Sequence, residues 1–271
     1  MEPVIQTRNL VHEYKGGVRA LKGVDIDIHH NDVVSIIGQN GSGKTTLVRH
    51  FNGLLKPTEG TVTVDGEDTE GKSVSFLSKK VGYAFQNPNH QFFCETVKDE
   101  LLVGPKNFKF SETEAQEKLE YVVDLLEIED ILTKHPMTLD YTRKKIVSIA
   151  SILTFSPKVV IMDEPTGGLD EDGRKILKNT MDLLHEQGNT VIMISHDMDF
   201  VAENTNRVIV MAEGQVLMDA DCQTVFRRED VLKKAWIEPP QITQLGNAVC
   251  KDGIFLSVND FVTHFKNRIT T

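Results

Sequence analysis

At 271 residues with 39% hydrophobic side chains, the chain holds enough apolar material for one large domain with a core and a small appendage. A formal charge of -10 without any long basic run argues against a general binder of nucleic acid or anionic membrane. No apolar run reaches the roughly 18 residues of a membrane-spanning helix and no signal peptide is read, so membrane association is expected only through a partner. Cys94, Cys222 and Cys250 lack metal-ligand spacing and read as small buried side chains in a reducing compartment.

In chain order, Val4 to Tyr14 reads as a strand ending in an aromatic. Val24, Ile26 and Ile28 then alternate with Asp25, Asp27 and His29 at the period of a half-buried antiparallel strand. The apolar run Val33 to Ile37 reads as a buried strand, and Thr46 to Phe51 reads as the opening of a helix. Between them stand Gly38, Gln39, Asn40, Gly41, Ser42, Gly43, Lys44 and Thr45, the context and composition of a phosphate-binding P-loop. The three glycines let consecutive backbone N–H groups turn inward, where they and the helix N-terminus hold an anion. Lys44 is then expected to reach the outer phosphates and Thr45 to ligate Mg²⁺. Gly60 to Gly66 reads as a further strand pair, which gives a small antiparallel subdomain beside a parallel core. Tyr14 reads equally as hairpin packing and as a face for an adenine ring.

After the strand Val81 to Phe85, the amide of Gln86 is placed to reach Mg²⁺ or its water. Ser111 to Glu114 is a capping box opening a helix whose apolar face includes Leu119, Val122, Val123, Leu125 and Leu126. Tyr141 to Leu153 reads as a second helix, so residues from about 87 to 157 form a helical insertion. Val159 to Met162 is a buried strand with Asp163 and Glu164 at its C-terminal end, where open α/β sheets bind ligands. Asp163 suits Mg²⁺, and Glu164 suits the acceptance of a proton from attacking water. A further buried strand, Thr190 to Ile194, leads to His196, placed to hydrogen-bond a γ-phosphate and the attacking water. Arg207 to Met218 reads as two strands joined at Glu213-Gly214. Phe226, Val231, Leu232, Ala235 and Trp236 share one amphipathic helical pattern, and Ile254, Leu256, Val258, Phe261, Val262 and Phe265 suggest a small packed unit.

The run at 38–45, Gln86, Asp163-Glu164, the D-loop Gly167-Gly168-Leu169-Asp170 and His196 resemble, in order and spacing, the ATP-binding cassette (ABC) ATPases. Val81 to Pro88, Gln91-Phe92-Phe93, Thr96-Val97, Gly104-Pro105 and the tail from Ala235 to Ile242 resemble the ATPases of energy-coupling factor (ECF) importers of the cobalt and vitamin type. The resemblance implies an α/β fold: a P-loop NTPase (RecA-like) core with an antiparallel β-subdomain and an inserted helical subdomain over residues 1–222, then a small extension over 223–271. It further implies ATP and Mg²⁺ as cofactors, a second ABC ATPase subunit, a transmembrane coupling subunit and a substrate-binding membrane subunit as partners. No nucleic acid is implied, and the location would be peripheral, on the cytoplasmic face of the cell membrane. A non-transport ABC ATPase is the other reading of the motifs, but the short span from Gln86 to Leu139 leaves no room for a long coiled coil.

One departure stands out. The family's signature position is filled by Leu139, Asp140, Tyr141, Thr142 and Arg143, where the family has LSGGQ. In the family, the serine and glycine amides there hold the γ-phosphate of ATP bound to the other subunit. Asp140 is expected at a helix N-cap, inside that anion site. Two like charges about 4–5 Å apart at a dielectric near 20 repel by roughly 3–4 kcal/mol. The expectation is an asymmetric heterodimer whose partner supplies an intact signature, or a regulatory subunit that holds ATP with little turnover.

Overall fold

Residues 2–250 and 254–269 are described by a computed structural model; residues 251–253 and 270–271 of the expected extension lie outside them. The alternating N-terminal residues build a four-stranded antiparallel sheet from β1 (Pro3–Tyr14), β2 (Val18–His29), β4 (Glu59–Val64) and β5 (Glu67–Asp68), in the order β2-β1-β4-β5. Asp65 and Gly66 both take positive φ between β4 and β5, as a two-residue hairpin turn requires.

The unbroken apolar runs build the second sheet, because each is buried on both faces. β3 (Val33–Ile37), β6 (Val81–Ala84), β7 (Val159–Asp163), β8 (Thr190–Ile194) and β9 (Arg207–Ala212) run parallel, and β10 (Gln215–Asp221) closes the edge antiparallel, in the order β10-β9-β3-β8-β7-β6. Alternate side chains divide between two cores. Val34, Ile36, Ile161, Ile192 and Ile209 face the antiparallel sheet and the helix α1 (Lys44–Phe51). Val33, Ile37, Val160, Met162, Val191 and Val208 face the other helices. Arg207 stitches the two sheets, reaching Asp219 on β10, Asp32 before β3 and the Asp27 carbonyl on β2 at 2.7–2.8 Å.

The short α2 (Val74–Ser78), capped by Ser73, leads into β6. Between β6 and β7 lie α3 (Val97–Asn107), α4 (Glu112–Leu126) and α5 (Tyr141–Leu153). Both hydrogen bonds of the capping box at Ser111 and Glu114 are made. The long α6 (Glu171–Glu186) precedes β8, and α7 (Met198–Asn204) precedes β9.

The C-terminal segment departs from the single amphipathic helix. It forms α8 (Cys222–Arg227) and α9 (Glu229–Lys234), whose Phe226, Val231 and Leu232 join the core together with Ala235. Trp236, two residues past the helix end at φ 56°, turns outward and is 80% exposed. α10 (Gln241–Val249) and α11 (Val258–Ile269) follow. Phe255 meets Phe261 and His264 edge to face there, and Phe265 packs tilted against Phe261, while Val258 and Val262 are exposed rather than packed. Cys222 and Cys250 are buried, whereas Cys94 is only partly so.

Candidate functional site

Strand, glycine loop and helix meet at the C-terminal edge of the parallel sheet, where β3 delivers the chain into the loop 38–45. Gly38 has no room for a side chain: a Cβ there would stand 2.1 Å from the Met211 carbonyl oxygen. Gly41 and Gly43 adopt φ +80° and +103°, so the loop folds back and aims its amides at one point. Lys44 is buried at the first turn of α1, and its ammonium donates to the carbonyls of Gly38 (2.7 Å) and Gln39 (3.0 Å). Burial lowers its pKa, while Glu164 and Asp163 oppose that shift.

A cavity of about 500 Å³ opens in front of this loop, lined by Tyr14, Asn40, Gly41, Gly43, Lys44, Thr45, Thr46, Gln86, Asp163, Glu164 and His196. Most of the residues singled out in the sequence therefore converge. Gly38, Gln39 and Ser42 form the back of the loop; the Gln39 N–H donates to the Ala235 carbonyl (3.1 Å), and the buried Ser42 hydroxyl has no protein partner. The Tyr14 hydroxyl lies 3.0 Å from Thr46 Oγ1, leaving its ring at the cavity mouth.

Thr45 Oγ1 donates to Asp163 Oδ1 at 3.5 Å, a long contact between two oxygens that face the same space. Asp163 is 2% exposed. Hard oxygen donors beside a phosphate loop fit a magnesium ion.

Glu164 follows at φ 52°, a left-handed conformation that lifts its carboxylate out of the strand line. His196 N–H donates to Oε2 at 3.2 Å. The His196 ring nitrogen Nε2 stands 3.1 Å from Oε1 but off the line of a hydrogen bond, so Oε1 is a buried acceptor without a donor. Burial pushes the Glu164 carboxyl up to about 7, against the His196 amide and the Lys44 ammonium, which favour its charged form. Burial, then Lys44, lowers the pKa of His196. A largely neutral imidazole beside a carboxylate poised near neutrality is suited to general base chemistry on water.

Asp170 and the residues Leu139 to Arg143 do not line this cavity. Asp140 is the N-cap of α5, its carboxylate accepting the Arg143 N–H at 2.8 Å. Asp170 caps α6 through the Gly173 N–H, and Thr142 Oγ1 bridges the two turns, 3.4 Å from both the Gly168 carbonyl and the Asp170 N–H. A second concavity, lined in part by Thr142, Arg143, Asp170 and Lys175, lies beside them.

A family model described as ABC transporter matches residues 21–167. The chain belongs to the ABC transporter family of ATPases. The energy-coupling factor transporter ATP-binding protein EcfA of Methanosphaera stadtmanae is 36% identical over 254 residues, 93% of this chain and 91% of the relative. An ABC transporter ATP-binding protein of Caldanaerobacter subterraneus is 40% identical over 96% of this chain, which spans only 45% of that relative's length. Among solved structures, cbiO1 from Clostridium perfringens, described as part of the ABC transporter complex cbiONQ, superimposes with a TM-score of 0.77 at 34% identity, covering 91% of this chain and 100% of that one. The ABC ATPase thus groups with the ECF ATP-binding proteins, and as a cassette of this family it binds and hydrolyses ATP. No helix among the described residues is long and apolar enough to cross a membrane.

Two residues of this ABC ATPase escaped the sequence reading. Tyr83 is buried on β6 and its hydroxyl donates to Asp163 Oδ2 at 2.6 Å, fixing the carboxylate from the side opposite Thr45. A tyrosine inside an apolar strand reads as core, and nothing in its spacing marks the contact. Tyr83→Phe leaves Asp163 short of one charged hydrogen bond, a loss of about 1.5–3 kcal/mol. Magnesium titration of ATPase activity should show the apparent magnesium requirement rising roughly tenfold or more, with secondary structure unchanged by circular dichroism. The other residue is Lys145.

Proposed function

We propose that this chain hydrolyses Mg·ATP as one half of an asymmetric ATPase heterodimer that drives uptake of a micronutrient, a vitamin or a metal ion, across a membrane. The observation that carries the proposal is the single cavity holding Lys44, Asp163, Glu164 and His196, with one Glu164 oxygen left without a donor. The loop amides and Lys44 hold the phosphates, and Tyr14 offers its ring to the base. Thr45, Asp163 and Gln86 would hold magnesium, which supplies charge neutralisation on the phosphate oxygens. Glu164 takes the proton of the attacking water, and His196 steadies the Glu164 carboxylate and contacts the γ-phosphate.

The asymmetry follows from Asp140, whose carboxylate already occupies the N-terminus of α5. A partner ATPase with an intact signature would complete the site on this chain, and the site facing Asp140 would be weak. The remaining partners are a transmembrane coupling subunit and a substrate-binding membrane subunit, with this chain peripheral on the cytoplasmic face. Purifying the native membrane complex, identifying its subunits and measuring magnesium-dependent ATP hydrolysis and uptake in vesicles tests the proposal. Recovery of a homodimer with two equivalent ATP sites would overturn the asymmetry, and a complex without membrane subunits would overturn the transport role.

A further inference from the structure

Lys145 sits on the second turn of α5, 2% exposed, with no carboxylate within ion-pair distance among the described residues. Burying an ammonium is costly, and an apolar side chain of similar length would fill the same space without that cost. Its Nζ donates instead to the backbone carbonyl of Glu164 at 2.6 Å. That carbonyl belongs to the residue whose left-handed φ lifts the carboxylate into the cavity, a conformation a non-glycine residue holds only under restraint. The restraint has two parts: the Glu164 N–H donates to the Ile194 carbonyl on β8 at 2.9 Å, and Lys145 holds the carbonyl from α5.

The same helix begins at the altered signature. The Tyr141 ring lies 6.0 Å from the Lys145 ammonium, and its hydroxyl is 3.5 Å from the Gln86 carbonyl. Gly168 of the D-loop packs so closely against this ring that a Cβ there would stand 2.6 Å from it. The first turn of α5 therefore touches the segments that carry Gln86 and Asp170, and its second turn holds Glu164.

We infer that Lys145 is a positioning residue for the catalytic carboxylate, clamping the Glu164 peptide from α5 so that the state of the signature end of this helix reaches the chain's own hydrolytic centre. The inference rests on Glu164 acting as the base, and the test separates the two. In the native complex, single-turnover hydrolysis and fluorescent-ATP binding are measured for Lys145→Met, Lys145→Arg and Glu164→Gln. Lys145→Met keeps the length and removes the donor; turnover should fall about 10²-fold, the scale of a misplaced catalytic group, with KM and ATP affinity changed less than about twofold. Lys145→Arg, which restores a donor, should recover most of the turnover.

Native turnover in Lys145→Met beside an inactive Glu164→Gln would overturn the inference, whereas native turnover in Glu164→Gln would overturn the reading beneath it. A parallel loss of ATP affinity and turnover in Lys145→Met would assign the residue a merely structural part and also overturn the inference. If Lys145→Met fails to fold, Lys145→Arg decides: near-native turnover supports the clamp, and a 10²-fold loss with ATP binding intact overturns it.

Discussion

Glu164→Gln is expected to lower ATP turnover of the assembled complex about 10²- to 10⁴-fold, the range for removal of a general base, while ATP binding persists. The amide is nearly isosteric and still accepts the His196 N–H through its oxygen, so the pocket keeps its shape. What is lost is the proton acceptor at the carboxylate oxygen that has no donor. The pH dependence gives an independent check. Burial holds the Glu164 carboxyl at about 7, and only the deprotonated form accepts a proton. kcat/KM, which reports the free enzyme, should therefore rise with pH through a midpoint near 7 and be lost below it. The variant should lose that limb. A Glu164→Gln complex that turns over at the native rate would place hydrolysis in the partner and leave this chain a regulatory role.

Asp140→Ser is expected to tighten ATP at the opposite composite site on the order of 10²-fold, since roughly 3–4 kcal/mol of like-charge repulsion is removed. Serine still caps α5 by accepting an amide N–H, as Asp140 does from Arg143, so helix stability changes little. The substitution thus isolates charge from structure. Equilibrium binding to the purified complex, resolved into two sites, reads the change. If the weaker site keeps its affinity, the carboxylate does not obstruct it, and the side chains of Tyr141 and Thr142 or the partner's own residues set the weakness.

The phosphate loop was legible because glycine spacing, a buried strand before it and a helix after it all state one local conformation. Asp163 and Glu164 were legible for the same reason: acids that follow an unbroken apolar strand fall at its C-terminal end, where open α/β sheets bind their ligands. Lys145 was hidden because two consecutive lysines on a helix read as its solvated face, and only the fold shows that this turn lies against the Glu164 peptide. Tyr83 was hidden because its partner is 80 residues away and the pairing depends on β6 lying beside β7. Trp236 misled by joining an apolar rhythm whose helix stops at Lys234. Periodicity carries local geometry well, and carries contacts that depend on strand order hardly at all.

The hydrogen bond from the Gln39 amide to the Ala235 carbonyl has a thermodynamic corollary. Whatever seats the tail on the back of the loop and whatever fills its front share one turn, so where the tail holds that turn in its phosphate-binding shape, each favours the other by the same free energy. ATP should then slow proteolytic trimming of the tail, and trimming should weaken ATP. Trp236, the chain's single tryptophan, adjoins that bond and stands in water; its emission is a native gauge of whether the two ends of this lever remain joined.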